Sequence, residues 1–218
     1  MKRTFWILVI ASLVALPLGL MAQDEAEEER DLLELNLYGG LSVPAGGIKD
    51  FSDTLGTKTG LGGGFDFGVF IKQNITLGLG FSYTTFDIDN DNPVVSQKHQ
   101  LFSPNVFIRY YFHGNSDLVP YVHGRVGLDF PKFSTEVLDN GTRKFRELAY
   151  SPSLAAGVGA GVFLYTSDYS GFFLEADYRQ AFADGAEKEY KGIDYIFGEN
   201  YGLMDIRAGI HILFGSDE

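Results

Sequence analysis

From Leu32 onward the chain alternates apolar and polar positions with a period of two, and no stretch carries a 3.6-residue repeat. In the last segment Met204, Ile206, Ala208, Ile210, Ile212 and Phe214 share one face, while Asp205, Arg207, Gly209 and His211 share the other. Pro120, Val122, Val126, Leu128 and Phe130 likewise oppose Tyr121, His123, Arg125 and Asp129. Phe102, Val106, Ile108, Tyr110 and Phe112 oppose Ser103, Asn105, Arg109 and Tyr111, with Phe107 an exception on the polar side. Leu77, Leu79, Phe81 and Tyr83 oppose Thr76, Gly78, Gly80, Ser82 and Thr84. The pattern predicts eight strands, over residues 32–44, 59–71, 75–87, 100–112, 118–130, 148–165, 171–181 and 202–214. Slipping one strand by a single residue would invert its faces, so agreement across so many segments defines an inside and an outside.

The connections alternate in length. Lys72-Gln73-Asn74, His113 to Asp117 and Ser167 to Ser170 are short, whereas 45–58, 88–99, 131–147 and 182–201 are long and polar. Short periplasmic turns opposite long outer loops are the arrangement of an up-and-down barrel in an outer membrane. Asn140-Gly141 suits a hairpin tip.

A soluble barrel with an apolar interior would alternate equally well, and three features separate the two. The nine lysines fall in the N-terminal segment, turns or loops, while the strand charges are Arg, Asp and Glu. An enclosed lumen favours Arg, whose planar fork pairs with carboxylates. The polar face is rich in Gly, Ala and Ser, as a narrow eight-stranded interior requires. On the apolar face Tyr83, Phe102, Phe112, Phe130, Tyr150 and Phe172 lie towards strand ends, as interfacial girdles do, with Phe70 turned inward. A mean hydropathy of −0.01 fits such alternation as well as it fits a soluble chain.

Residues 1–22 read as a signal peptide: Lys2 and Arg3, an apolar run from Phe5 to Met21 interrupted by Ser12, and a cut after Ala22. The segment 23–31 (QDEAEEERD) follows as an acidic leader, and 32–218 form the barrel domain. The formal net charge is −12, and removing Lys2 and Arg3 makes it two units more negative, which argues against a nucleic-acid partner. Cysteine is absent, which excludes disulfides, thiolate zinc sites, a thiol nucleophile and a lipid-attachment cysteine. The expected destination is the outer membrane of a Gram-negative cell, reached by export.

Taken together, the whole mature chain resembles the small outer-membrane barrel family that includes OmpA and OmpX, in pattern more than in identity. Its most specific element is Arg207-Ala208-Gly209-Ile210-His211-Ile212-Leu213-Phe214. This is similar to the C-terminal signal read by barrel-assembly machinery, with Arg207, Gly209, Ile212 and Phe214 in the matching places, although Gly215 to Glu218 follow it. The resemblance implies outer-membrane lipid, lipopolysaccharide and the assembly machinery as partners. It also implies a non-enzymatic role in envelope integrity or in surface binding through the outer loops. A small passive pore is the alternative, and a barrel enzyme acting on lipid or peptide a more distant one.

The chemistry concentrates on the inward face. Alternation places Glu34, Asp66, Asp129, Glu175, Asp177 and Asp205 there with Arg109, Arg125, Arg179 and Arg207, and with His123 and His211 nearby. Burial forces such charges to pair, so a sealing network is expected, and Glu175, Asp177 and Arg179 are placed to meet Asp205 and Arg207. His99 and Ser103 share a face and suggest a hydrolase, but no carboxylate is spaced to orient the histidine and no G-x-S-x-G occurs. Asp87, Asp89 and Asp91 have the first spacings of a calcium loop, but Asn92 replaces its glycine and Lys98 its closing Glu. Gly157, Gly159 and Gly161 lie within a strand pattern and are read as relief of crowding, not as a phosphate loop. No cofactor or metal site is expected. Tyr190, Tyr195, Phe197 and Tyr201 mark the last long loop as a candidate for binding an extracellular protein or glycan.

Overall fold

The computed structural model describes residues 33–46, 59–87, 96–112, 116–139, 142–182, 186–190, 193–197 and 200–215. The segments assigned to the signal peptide and acidic leader lie outside them, as do Asp89, Asp91, Asn92 and Asn140-Gly141. Among the described residues there are eleven strands and no helix. They are β1 (Leu33–Gly46), β2 (Gly60–Lys72), β3 (Ile75–Asp87), β4 (Gln97–Tyr111), β5 (Leu118–Asp139), β6 (Thr142–Ala149), β7 (Ser153–Ser167), β8 (Ser170–Phe182), β9 (Ala186–Tyr190), β10 (Ile193–Phe197) and β11 (Asn200–Phe214).

Eight of these close into an all-antiparallel barrel in the order β1-β2-β3-β4-β5-β7-β8-β11. The closing seam between β1 and β11 runs from Leu33 opposite Phe214 to Gly46 opposite Tyr201. Closure leaves the ring without an unpaired edge. β5 is 22 residues long, and beyond the barrel wall it pairs with the start of β4 on one side and with β6 on the other. The expected loop 131–147 is therefore mostly strand, because β5 continues past its pairing with β7 and turns back as β6. β9 and β10 form a separate two-stranded sheet within the expected loop 182–201.

Faces follow the alternation. Leu61, Leu79, Ile108, Leu174 and Ile206 are exposed on the outer surface, and the charges and small polar residues turn inward. Exposed aromatics cluster towards both ends: Tyr83, Phe102, Phe130 and Phe182 at the long-loop end, Phe112, Tyr169, Phe172 and Phe214 at the short-turn end. Two expectations require correction. Tyr150 is buried in the mouth, because the chain leaves the strand conformation at 150–152 before Ser153 and so breaks parity between β6 and β7. Lys72, Lys98 and Lys132 lie in strands, at the ends of β2 and β4 and in the extension of β5, as do Lys144 in β6 and Lys188 in β9. Strand structure simply runs farther than the apolar band, and there Lys98 meets Asp87 at 3.8 Å and Lys132 meets Glu147 at 2.5 Å.

Val158, near the middle of β7, is 66% exposed on the outer face. Replacing it with Arg is expected to destabilise the lipid-embedded barrel by about 2–4 kcal/mol. Equilibrium unfolding from lipid vesicles measures this. A change below about 0.5 kcal/mol would mean that this face meets water.

Candidate functional site

The lumen is organised in three layers. At the short-turn end Tyr111, Val119, Tyr121, Phe163 and Phe173 form a buried aromatic cluster, flanked by Tyr38, Phe70 and Tyr165. Phe70 turns inward and stacks on Tyr111, with ring centroids 5.4 Å apart. At the long-loop end Phe86, Leu101, Phe133, Tyr150, Ala155, Ala181, Tyr201 and Leu203 form a second cluster. Between the two lies a charged layer containing all ten of the inward acids and arginines, each of them buried.

Glu175 of β8 is the hub of that layer. Its carboxylate accepts from Arg125 Nη2 at 3.1 Å and Arg207 Nη1 at 3.3 Å, with His123 Nδ1 at 3.2 Å, and takes the Tyr121 hydroxyl at 3.0 Å. Asp177, two residues on along the same face, lies 3.1 Å from Arg125 Nε, 2.7 Å from His123 Nε2 and 3.8 Å from Arg207 Nη2. Arg207 also reaches Asp205 at 2.7 Å, and Ser42 donates to that carboxylate from across the closing seam. On the other side Arg109 bridges Glu34 (2.5 Å) and Asp66 (3.2 Å), and Tyr111 donates to Glu34. The Arg109 guanidinium also lies 4.8 Å from the ring of Phe107, which gives that inward apolar residue its place.

A third group closes the outer side of the layer. Arg179 Nη1 donates to Asp129 and to Ser103 Oγ, both at 2.7 Å, and Ser103 in turn donates to Asp129 at 2.5 Å. The Tyr201 hydroxyl completes it by donating to Asp129 at 2.8 Å. These contacts tie β4, β5, β8 and β11 together across the lumen and leave little space: the voids beside the layer are of ≈ 10 Å³, about one water each.

Residues 10–202 match the outer membrane protein beta-barrel domain family. The chain belongs to that family.

As an outer-membrane β-barrel, it is similar in fold to a major outer membrane protein from Thermus thermophilus. The two are 12% identical with a TM-score of 0.55, over 84% of this chain and 99% of that one. It is also similar to Neisserial surface protein A (15% identity, TM-score 0.49, 83% and 95% covered). A third likeness is to Ail, the attachment invasion locus protein of Yersinia pestis, in a complex with the heparin analogue sucrose octasulfate (12%, 0.48, 84% and 99%). No curated protein matches.

Several side chains of this outer-membrane barrel stand elsewhere than expected. Arg179 crosses the lumen to Asp129 instead of meeting Asp205, because register sets it opposite Leu203. Tyr201 is no loop residue. It belongs to β11, is buried, and gives its hydroxyl to Asp129, so it offers nothing to an extracellular ligand. Tyr190, Tyr195 and Phe197 are placed on β9 and β10 by their backbone, with Tyr190 opposite Ile193 and Phe197 opposite Ala186, while their side chains lie outside the described residues. Gly209, Ile212 and Phe214 pair with Tyr38, Leu35 and Leu33 along the seam.

The hydrolase arrangement does not form, since Ser103 is held by Asp129 and Arg179 while the His99 ring packs against Phe133 at 5.3 Å. His123, Glu175 and Asp177 bring three possible metal ligands within 4.8 Å of one another. Arg125 and Arg207 already engage both carboxylates, so a metal would have to displace two guanidiniums. The phenols carry no comparable mark in the sequence. Tyr111, Tyr121 and Tyr201 stand on the polar face or in an expected loop, and only the closed ring sets each beside a buried acid as its donor.

Tyr201→Phe is expected to lower barrel stability by about 1 kcal/mol, since it leaves one oxygen of Asp129 a donor short. Urea unfolding followed by far-UV circular dichroism reads the effect. No change would show that the hydroxyl is exchanged for water without loss.

Proposed function

We propose that this outer-membrane barrel is a sealed, non-enzymatic envelope protein. Its wall and charged layer provide a rigid support, and the outer strands and loops are the surface through which it strengthens the envelope or binds a protein or glycan. The observation that carries this reading is the layering of the lumen. An ion crossing it would have to pass two aromatic and aliphatic clusters and break a network in which each arginine already has a carboxylate. Arg–carboxylate pairs in such surroundings are costly to separate.

The same reading takes residues 1–22 as a cleaved export signal. It takes Arg207, Gly209, Ile212 and Phe214 as the mark read by the assembly machinery, and lipopolysaccharide as the lipid of the outer leaflet. Planar-bilayer recording tests the central point. A protein that keeps heat-modifiable migration is expected to give no conductance steps. Discrete, voltage-stable steps would replace the sealed barrel with a small pore.

A further inference from the structure

His99 is buried outside the charged layer. It stands on the inner face of β4, two residues from Leu101 of the outer cluster, and is 4% exposed. Register sets it directly opposite Phe86 of β3 and directly opposite Phe133 of β5, both buried, and its ring lies 5.3 Å from that of Phe133. Phe102 of the aromatic girdle comes three residues later in β4, so the imidazole sits in the mouth, beyond the lipid-embedded band.

The acids of the neighbouring strands are engaged elsewhere. Asp87 of β3 is exposed and meets Lys98 of β4 on the outer face. In β5 Asp129 is held by Arg179, Ser103 and Tyr201, and Lys132 meets the exposed Glu147 of β6. Glu136 has the opposite parity to Phe133. Arg146 and Lys144, opposite Thr135 and Val137, share the face of Phe133 by register, as does Asp139 farther out. The phenols in the cluster, Tyr150 and Tyr201, are neutral throughout the acid range. Loss of water on burial pushes the pKa of His99 down to about 4.

We infer that His99 is an acid-sensitive latch on the outer plug: neutral, it packs as one more ring of the cluster, and protonated it leaves for water and opens the mouth between β3, β4 and β5. A charged imidazole cannot stay among rings without a large desolvation cost. In the opened mouth the same group regains its ordinary affinity, near pH 6.5. Closure is therefore fully favoured above about pH 6.5 and weakens about tenfold per unit as the pH falls towards about 4. Opening would bare Phe86, Phe133 and Tyr150, an apolar surface presented only in acid. The inner cluster is a separate seal, so a barrel that conducts at neutral pH would fail the sealed reading and leave the latch standing.

The chain has no cysteine, so Ala155→Cys places a single thiol in the outer cluster. Its modification by a water-soluble methanethiosulfonate is timed in the detergent-folded protein at a series of pH values, and each rate is divided by that of the urea-unfolded protein. The relative rate should be flat above about pH 6.5 and rise about tenfold per unit below it. Adding His99→Phe keeps a ring in the plug and should leave the rate flat throughout. A rate indifferent to pH in the Ala155→Cys protein would overturn the latch. So would an equal rise in the His99→Phe protein, which would assign the response to another group such as Asp129. Should that variant fail to fold, the imidazole nitrogen shifts of His99 in the Ala155→Cys protein are followed instead. Protonation and thiol exposure should then advance together, and an imidazole that gains its proton while the thiol stays shielded would overturn the latch.

Discussion

Glu175→Ala is expected to cost the barrel about 3–5 kcal/mol, the penalty for stripping a buried ion pair of one partner. The size follows from the hub position: Arg125 and Arg207 each lose a carboxylate, and Tyr121 loses its acceptor. Neither guanidinium can swing into water, since aromatic and aliphatic clusters close the lumen at both ends. The chain's one tryptophan is Trp6, in the expected signal peptide, so unfolding is best followed by far-UV circular dichroism. Adding Arg207→Met to Glu175→Ala should deepen the loss, because Arg207 still pairs with Asp205 at 2.7 Å and its removal strands that carboxylate. A single-variant loss under about 1 kcal/mol would show that water reaches the layer and screens it, and the sealed reading would fall with it.

Gly161→Val should destabilise by at least about 2–3 kcal/mol through overpacking, although valine is the better strand former. A Cβ at Gly161 would meet the Tyr121 ring and hydroxyl at 2.5 Å and the Leu174 carbonyl oxygen at 2.7 Å. The ring cannot yield, because it stacks on Phe163 at 4.5 Å and is tied to Glu175. Ala160→Val, one residue away on the outer face, should stay within about 0.5 kcal/mol. Equal effects of the two variants would mean that crowding in the lumen does not decide the residue. Gly159 repeats the arrangement beneath His123, with its Cβ position 2.5 Å from the imidazole Cε1. The glycine run of β7 thus accommodates side chains reaching over from β5, as the strand pattern implies.

Where the alternation is unbroken, the strands are legible to within a few residues. β3 runs from Ile75 to Asp87, the range the pattern predicts, and β8 and β11 differ from expectation by one or two residues at their ends. The departures share one cause. Period-two patterning identifies a strand but not the height at which it leaves the membrane, so the extension of β5 and the β6 hairpin look like a loop. Tyr201 looks like a loop residue for the same reason, and Tyr150 faces inward against expectation because a parity break at 150–152 leaves no mark in alternation.

An eight-stranded barrel, most of its lumen-facing residues, and the presence there of six carboxylates and four arginines could all be read from the chain alone. These are local properties, since a side chain's face depends only on its parity within a strand. The contact of Arg207 with Glu175, directly opposite on the neighbouring strand, could be read that way as well, but the remaining partnerships could not. Arg125 reaches Glu175 and Asp177 across β7, Arg109 reaches Glu34 and Asp66, and Arg179 crosses to Asp129, none of them a directly opposite strand pair. Partnership across a lumen depends on ring closure and on the register of every strand in between, which no single segment encodes. The same closure stacked two apolar clusters above and below the charges.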